Sequence, residues 1–501
     1  MKRRLADLQW DNSFSRLPEA FYQRVQPTPL AAPRLVAFNP DVAELLDLDA
    51  AARDDPEFVA AINGERPVPG TDPLAALYAG YQFGVWVPQL GDGRAILLGE
   101  VVDSSHQRWD IQLKGAGLTQ FSRMGDGRAV LRSAIREYLA GEAMHGLGIP
   151  TTRSLAILGS DEPVYRESVE TGAILVRVAP THVRFGSFEV LASRGMDDAA
   201  RRLADYVIEF HFPHLLALPA ADRYGAWYRD VVERTARLMA AWTAVGFTHG
   251  VMNTDNMSIT GATLDYGPYA WMEGFEPGFA PNHSDPGGRY GYDQQPLVGM
   301  WNCARLGEAL TSLMTREQAL EALDRYRDAF TLEFDALFRA KLGLRDAEPG
   351  DPALVSKLLA LLHTARTDYT RFFRALAHSG PSPGAQSPEP EARSPEPGAR
   401  SPEFDGVPGL TNWLVEYHAR LGRDAMDPAE RNAAMLAANP KYVLRTWMAQ
   451  EAVADAQSGN FATIERLRRI LRQPFAEQET ESRYAEAPPD GAPGVELSCS
   501  S

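Results

Sequence analysis

His249-Gly250-Val251-Met252-Asn253-Thr254-Asp255-Asn256, followed nine residues later by Asp265-Tyr266-Gly267, is the stretch on which the reading of this chain turns. Asn256 and Asp265 offer the amide and carboxylate oxygens that a hard divalent cation prefers. Ile259 and Ala262-Thr263-Leu264 lie between them and predict a tight strand–turn–strand that carries both ligands. Asp255 adds an ionisable carboxyl next to Asn256. Val251 sits two residues after the histidine and cannot take a proton from anything. Taken singly, the Asp-Asn pair reads equally well as a capped turn.

Outward from this stretch, composition narrows the field. The chain has 501 residues with 45% hydrophobic content, enough for two or three domain-sized units with sizeable cores. A net charge of −16 argues against nucleic acid or an anionic membrane surface as the main partner. The two cysteines, Cys303 and Cys499, are too few for a disulfide framework, so a reducing compartment is expected. Asp7, Asp11 and Asn12 break any apolar leader after Met1-Lys2-Arg3-Arg4, and no run of 18 apolar residues suggests a membrane span. The expectation is a cytoplasmic bacterial protein, a monomer.

Residues 76–180 read mainly as strands. Arg94–Val102 is rich in β-formers, and Arg108–Lys114 alternates, with Trp109, Ile111 and Leu113 on one face and Asp110, Gln112 and Lys114 on a polar one. A helix is expected over Val130–Gly146, its stripe Leu131, Ile135, Leu139, Ala143 and Leu147 stopping at Gly148. Gly172–Val178 is a further strand. Helical patterns cover Asp41–Leu48, Arg223–Gly246, Trp301–Leu313, Arg316–Leu342, Ala353–Leu376, Asn412–Leu421 and Pro440–Leu471. Ser379–Glu403, with repeated Ser-Pro-Glu, cannot pack a core and is expected to be a disordered insertion.

Four elements then stand in the order a nucleotide cleft needs. Gly91-Asp92-Gly93-Arg94 precedes a strand and would let backbone N–H groups approach phosphate, although Asp-Gly is also a hairpin signal. Lys114 ends a strand before Gly115-Ala116-Gly117, and Glu137 lies in the next helix, where it can orient the ammonium. Gly125-Asp126-Gly127-Arg128 is a second turn of the same character. The fourth is the opening stretch. Protein kinases carry a similar pair, H-R-D-x-x-x-x-N and then D-F-G. Aligned on His249 and Asn256, the kinase base falls on Val251. Arg177 and Arg184 are extra guanidinium groups between the expected lobes. The fold class that follows is α+β, a protein-kinase-like two-lobed fold with a strand-rich N-lobe, a helical C-lobe and additional terminal elements.

Gln112-Leu113-Lys114-Gly115-Ala116-Gly117, Ser133-Ala134-Ile135-Arg136-Glu137, the His249–Asn256 stretch with Met257, Asp265-Tyr266-Gly267-Pro268, Asn282-His283-Ser284-Asp285 and the terminal Cys499-Ser500-Ser501 together resemble the selenoprotein O family of kinase-fold protein adenylyltransferases. The likeness runs over nearly the whole chain. It implies transfer of AMP from ATP to Ser, Thr or Tyr hydroxyls of proteins, with pyrophosphate leaving. It implies Gly91, Gly93, Arg94, Lys114, Asp126, Gly127, Arg177, Arg184 and Asp265 around the nucleotide, and Glu137 paired with Lys114. Asn256 and Asp265 would hold Mg²⁺, with Mn²⁺ as the alternative, and Asp255 would be the general base. Some relatives pair the C-terminal Cys with one just before Asn-His-Ser-Asp. That position is Pro281 here, so a redox role for Cys499 lacks its usual partner. Cys303 reads as a buried helix thiol.

The boundaries expected are an N-terminal extension at 1–75, an N-lobe-like region at 76–185, a helical C-lobe-like region at 186–475 with the insertion at 379–403, and a tail at 476–501. Two other functions remain open on the residues alone. One is a true phosphotransferase with a relocated base, and the other a nucleotide-binding pseudokinase scaffold.

Overall fold

The computed structural model describes residues 2–378, 402–489 and 497–498. The insertion expected at 379–403 lies outside the described residues except for Pro402 and Glu403, which open a 3₁₀ turn, and Cys499 lies outside them too.

The first part of the chain runs β1 (Tyr22–Arg24), β2 (Arg34–Phe38), α1 (Pro40–Leu45), α2 (Pro56–Ile62), β3 (Leu74–Ala76), β4 (Gly80–Gln82), β5 (Val85–Val87), β6 (Ala95–Val102), β7 (Arg108–Lys114), β8 (Ala129–Val130), α3 (Leu131–Gly146), β9 (Arg153–Tyr165) and β10 (Val169–Ala179). Eight strands form one sheet in the order β1-β3-β6-β7-β10-β9-β2, with β8 paired to β10, while β4 and β5 form a separate hairpin. The pairings are antiparallel, and they set Gln112 of β7 opposite Arg177 of β10.

The alternation expected in β7 is present, but its polar side is not solvated. Ile111 and Leu113 pack with Val42 and Phe58 of α1 and α2 on one face of the sheet. Asp110, Gln112 and Lys114 are buried on the other, where each finds a polar partner. The helix expected near Asp41–Leu48 runs from Pro40 to Leu45, ending three residues early. Asn39 caps it by accepting from the Asp41 N–H at 3.1 Å, Pro40 fills its first turn, and Asp47 has already turned left-handed at φ 58°. Strand β9 is not apparent from sequence because Gly159-Ser160-Asp161-Glu162-Pro163 reads as a turn. Helix α3 carries the expected stripe and is buried nearly all round, wedged between β9 and β10 and two C-terminal helices. It ends at Gly148, φ 76°, where Ile149 N–H returns to the Met144 carbonyl at 2.9 Å.

The second part is helical: α4 (Phe185–Ser193), α5 (Asp197–His211), α6 (Ala220–Ala244), then a two-strand pair β11 (Phe247–Thr248) and β12 (Ala270–Trp271), then α7 (Gln295–Ala309), α8 (Arg316–Lys341), α9 (Asp351–Ala365), α10 (Tyr369–His378), α11 (Leu410–Leu421), α12 (Pro428–Ala438), α13 (Thr446–Gln457) and α14 (Ala462–Arg472). The helix expected over Ala353–Leu376 is two, because Arg366 adopts φ 53° and caps α9. That expected over Pro440–Leu471 is also two, separated at Gly459, φ 86°. The segment between Asn256 and Asp265 is not a strand pair. It closes through a single Met257–Thr263 bridge, and β11 and β12 flank it instead.

One large apolar cluster joins the inner face of the sheet and α3 to α4–α7, and a second covers the outer face beneath α1 and α2. A third fills the C-terminal helices from α8 to α12. Among the described residues, no helix is long and apolar enough to cross a membrane.

Candidate nucleotide site

Between the sheet and the helical part lies a cavity of about 540 Å³. Every residue that sequence assigned to the nucleotide or the cation lines it: Gly91, Gly93, Arg94, Lys114, Asp126, Gly127, Arg177, Arg184, Asn256 and Asp265, together with Asp255. Glu137 stands behind the wall on α3. In a chain of net charge −16 the lining is biased the other way, with basic side chains outnumbering acids.

The centre of the site is a buried ion network. Lys114 Nζ donates to Glu137 Oε2 at 2.6 Å, and Arg177 Nε donates to Glu137 Oε1 at 2.5 Å. Arg177 also donates to Gln112 Oε1 at 3.1 Å and to Asp265 Oδ1. Arg184 Nη1 donates to Asp265 Oδ2 at 2.7 Å and to the Asp255 carbonyl at 2.9 Å, while its guanidinium lies 4.4 Å over the Tyr78 ring. Burial opposes charge throughout, and the pairing decides the outcome. At Asp265 burial is outweighed by Arg177, Arg184 and Lys114, which hold the carboxyl well below its usual range. Glu137 is likewise buried and likewise lowered, by Arg177 and Lys114. Lys114 goes to about 8, because burial and Arg177 together overcome the pull of Glu137. Arg94 has no carboxylate within ion-pair distance among the described residues, and burial lowers its pKa.

Asp255 is different. Its Oδ2 accepts from Gln82 Nε2 at 3.2 Å, and its Oδ1 is buried with no hydrogen-bond partner. Burial, only partly countered by Arg184, raises the carboxyl to about 6. The loop that carries it is fixed from several sides. Thr254 Oγ1 donates to Glu189 Oε2 at 2.6 Å and accepts from Tyr81 N–H at 2.8 Å. His249 stacks on Trp242 and bonds the Leu264 carbonyl at 2.9 Å, just before Asp265. It is therefore a brace for the loop. Asn256 Nδ2 donates to the Val251 carbonyl at 3.0 Å, which fixes the amide in the wall.

The two glycine turns have a packing role that sequence did not suggest. A Cβ on Gly91 would meet the Phe121 ring at 2.5 Å, and one on Gly93 would meet the Phe121 carbonyl at 2.7 Å. These glycines let the 119–127 loop lie against the 91–94 turn. Asp126 is tied to Arg166 at 2.7 and 3.0 Å and caps the Arg128 N–H at 2.9 Å. Arg166, Tyr78, Gln82 and Glu189 gave no sequence signal, since each needs the fold to bring it near. Asp92 was visible in its turn but not as a site residue. It is buried, 4.0 Å from Arg184. Cys303 is buried in α7, its thiol pushed up to about 12 by burial, in keeping with a helix-core role.

Oxygen donors for a cation are available here without a dedicated cage. Among the described residues no cluster of three or more His, Cys, Asp or Glu could hold a metal. The Asp265 carboxylate, kept ionised, and the Asn256 amide share the cavity with the basic groups, a donor set that suits Mg²⁺ completed by phosphate and water.

Residues 4–472 match the family model described as Protein adenylyltransferase SelO. The chain belongs to the SelO family. The chain is 53% identical over 497 residues to the Protein nucleotidyltransferase YdiU of Myxococcus xanthus, covering 99% of each chain. It is 51% identical over 507 residues to that of Thioalkalivibrio sulfidiphilus, over 99% of this chain and 100% of the relative. The Azotobacter vinelandii protein of the same name is 47% identical over 500 residues and 100% of both. This SelO-family chain is an enzyme, a protein nucleotidyltransferase, and AMP is the group its family is named for moving.

Proposed function

We propose that the chain moves AMP from ATP to Ser, Thr or Tyr hydroxyls of proteins, with Asp255 as general base. The observation that carries this is the state of Asp255. Among the described residues that line the cavity it is the one carboxylate with a buried oxygen that has no partner, while Asp265, Asp126 and Asp92 are each engaged by basic groups. Val251, where a kinase would place its base, offers the cavity only a hydrocarbon side chain.

The residues divide the work. Lys114, oriented by Glu137, and Arg177 and Arg184 neutralise the triphosphate. Arg94, Gly91, Gly93, Asp126 and Gly127 bound it from the sheet side. Asn256 and Asp265 hold the divalent cation, which when bound neutralises phosphate oxygens and orients the leaving pyrophosphate. Asp255 takes the proton as the acceptor oxygen attacks the α-phosphorus and the bond to pyrophosphate breaks. In this reading 76–185 is the N-lobe and 186–475 the C-lobe of a kinase-like pair, with 1–75 an N-terminal extension packed on that core, its β1 and β2 lying at the two edges of the sheet.

ATP labelled separately in the α- and γ-phosphates tests it. Protein labelled from the α position alone is expected. Label from γ alone would make the chain a phosphotransferase, and no label from either despite ATP binding would make it a scaffold.

A further inference from the structure

We propose that Arg289 and the aromatic shelf around Trp301 dock an acceptor segment that carries an acidic residue beside its hydroxyl. The idea rests on the reading that this chain modifies proteins. It concerns a face outside the nucleotide cavity.

One groove, of about 590 Å³, is lined by Arg289, Leu297 and Trp301, and a second, of about 390 Å³, by Tyr81, Trp86 and Arg305. Trp301 packs edge-on against Tyr81 at 5.3 Å, and Tyr81 packs on Trp86 at 5.0 Å. Two guanidinium groups lie against this shelf. Arg305 is 5.2 Å from the Trp301 ring and is committed to Glu308. Arg289 is 4.9 Å from the same ring, and among the described residues it has no carboxylate within ion-pair distance. Its Nε is buried without a hydrogen-bond partner. The loop beneath is rigid, because Asp285 accepts from the backbone N–H groups of Arg289 at 3.1 Å and Tyr290 at 2.8 Å. The exposed Leu297, at 60%, edges the shelf beside Arg289 and Trp301.

The place of this shelf gives it a purpose. The hairpin β4–β5 turns Tyr81 and Trp86 outward, while Gln82 holds Asp255 and the Phe83 N–H reaches the Asn253 side chain at 3.2 Å. A polypeptide lying on the shelf is therefore close to the residue that would deprotonate its hydroxyl. An arginine fork stacked on indole and without a carboxylate partner among the described residues, in a chain of net charge −16, selects a carboxylate on the incoming segment, and the exposed Leu297 suits an apolar neighbour.

Fluorescein-labelled random copolymers of glutamate with tyrosine, and of lysine with tyrosine, are titrated with the full chain and followed by anisotropy. The glutamate copolymer is expected to bind and the lysine copolymer not. Arg289→Ala should weaken the former roughly tenfold with ATP affinity unchanged. Leu297→Glu, at an exposed position that folding does not need, should weaken it too. No binding, no preference for the acidic copolymer, or full affinity in both variants overturns the proposal. The readout needs no chemistry. If copolymer binding depends on Arg289 but no α-label is transferred, AMP transfer is wrong and the docking surface stands. If transfer to proteins ignores Arg289, only the docking surface is lost.

Discussion

Gly80 offers a test of Asp255 that leaves the carboxylate in place. A Cβ built on Gly80 would lie 2.6 Å from Asp255 Oδ1 and 3.0 Å from both its Cβ and its backbone N. The Gly80 backbone is not left-handed, so alanine there adds no backbone strain of its own and presses on Asp255. Carbon and oxygen rest at about 3.5 Å, so the carboxylate must retreat by about 0.9 Å. A displacement of that size in a reacting group lowers rates on the order of a hundredfold. Gly80→Ala should therefore lose about two decades of transfer, measured as single-turnover incorporation from α-labelled ATP with soluble bacterial protein as acceptor. ATP affinity should change far less than transfer, since Lys114 and Arg177 have no hydrogen bond to Asp255. Wild-type transfer by a Gly80→Ala variant would mean that Asp255 does not act from the position seen here.

Three further outcomes are expected. Asp255 sits at about 6, so a base that works ionised loses activity as pH falls through about 6 and levels off above it; initial rates across that range check this, and a flat profile would count against the assignment. Asp110 is raised to about 8 and its cross-strand neighbour Glu100 to about 7, each mainly by burial. The folded state then holds protons that the unfolded chain releases above pH ~4, so stability falls as pH rises from ~4 to ~8; denaturation midpoints should show the fall, and Asp110→Asn should flatten it. Glu137→Gln leaves Lys114 and Arg177 buried without their shared carboxylate, which should destabilise by roughly 3–5 kcal/mol and weaken ATP binding, read by denaturant melts and calorimetry.

Much of the site was legible because its parts are local patterns: a lysine at a strand end, an acid on the next helix, two oxygen ligands nine residues apart. Their order along the chain was enough to group them, and the fold brings those assigned to nucleotide and cation around one cavity. What sequence did not carry was contact between distant segments. Tyr78, Gln82 and Arg166 look like any surface polar residue until the hairpins place them. Glu189 is an ordinary helix acid until Thr254 meets it. Alternation in β7 reports which residues share a side, not what covers that side, so the burial of Asp110 and Gln112 was not legible. Helix breaks at Arg366 and Gly459 were hidden inside continuous apolar spacing. The turn-like 159–163 run concealed the longest strand.

The pairing of Asp265 with Arg177 and Arg184 has a consequence for which molecules can enter. With these partners in place the deepest charges are already neutralised, so the cavity is not an open sink for stray anions. A bare phosphate that drew both arginines away would leave Asp265 with Lys114 alone, 4.0 Å off. A ligand that arrives as an anion with its own cation avoids this. The anion would take the two arginines and its cation Asp265, so that each charge would exchange one partner for another. If the site takes nucleotide as proposed, ion metathesis of this kind would make the resting network a filter that favours a metal-complexed triphosphate over bare phosphate.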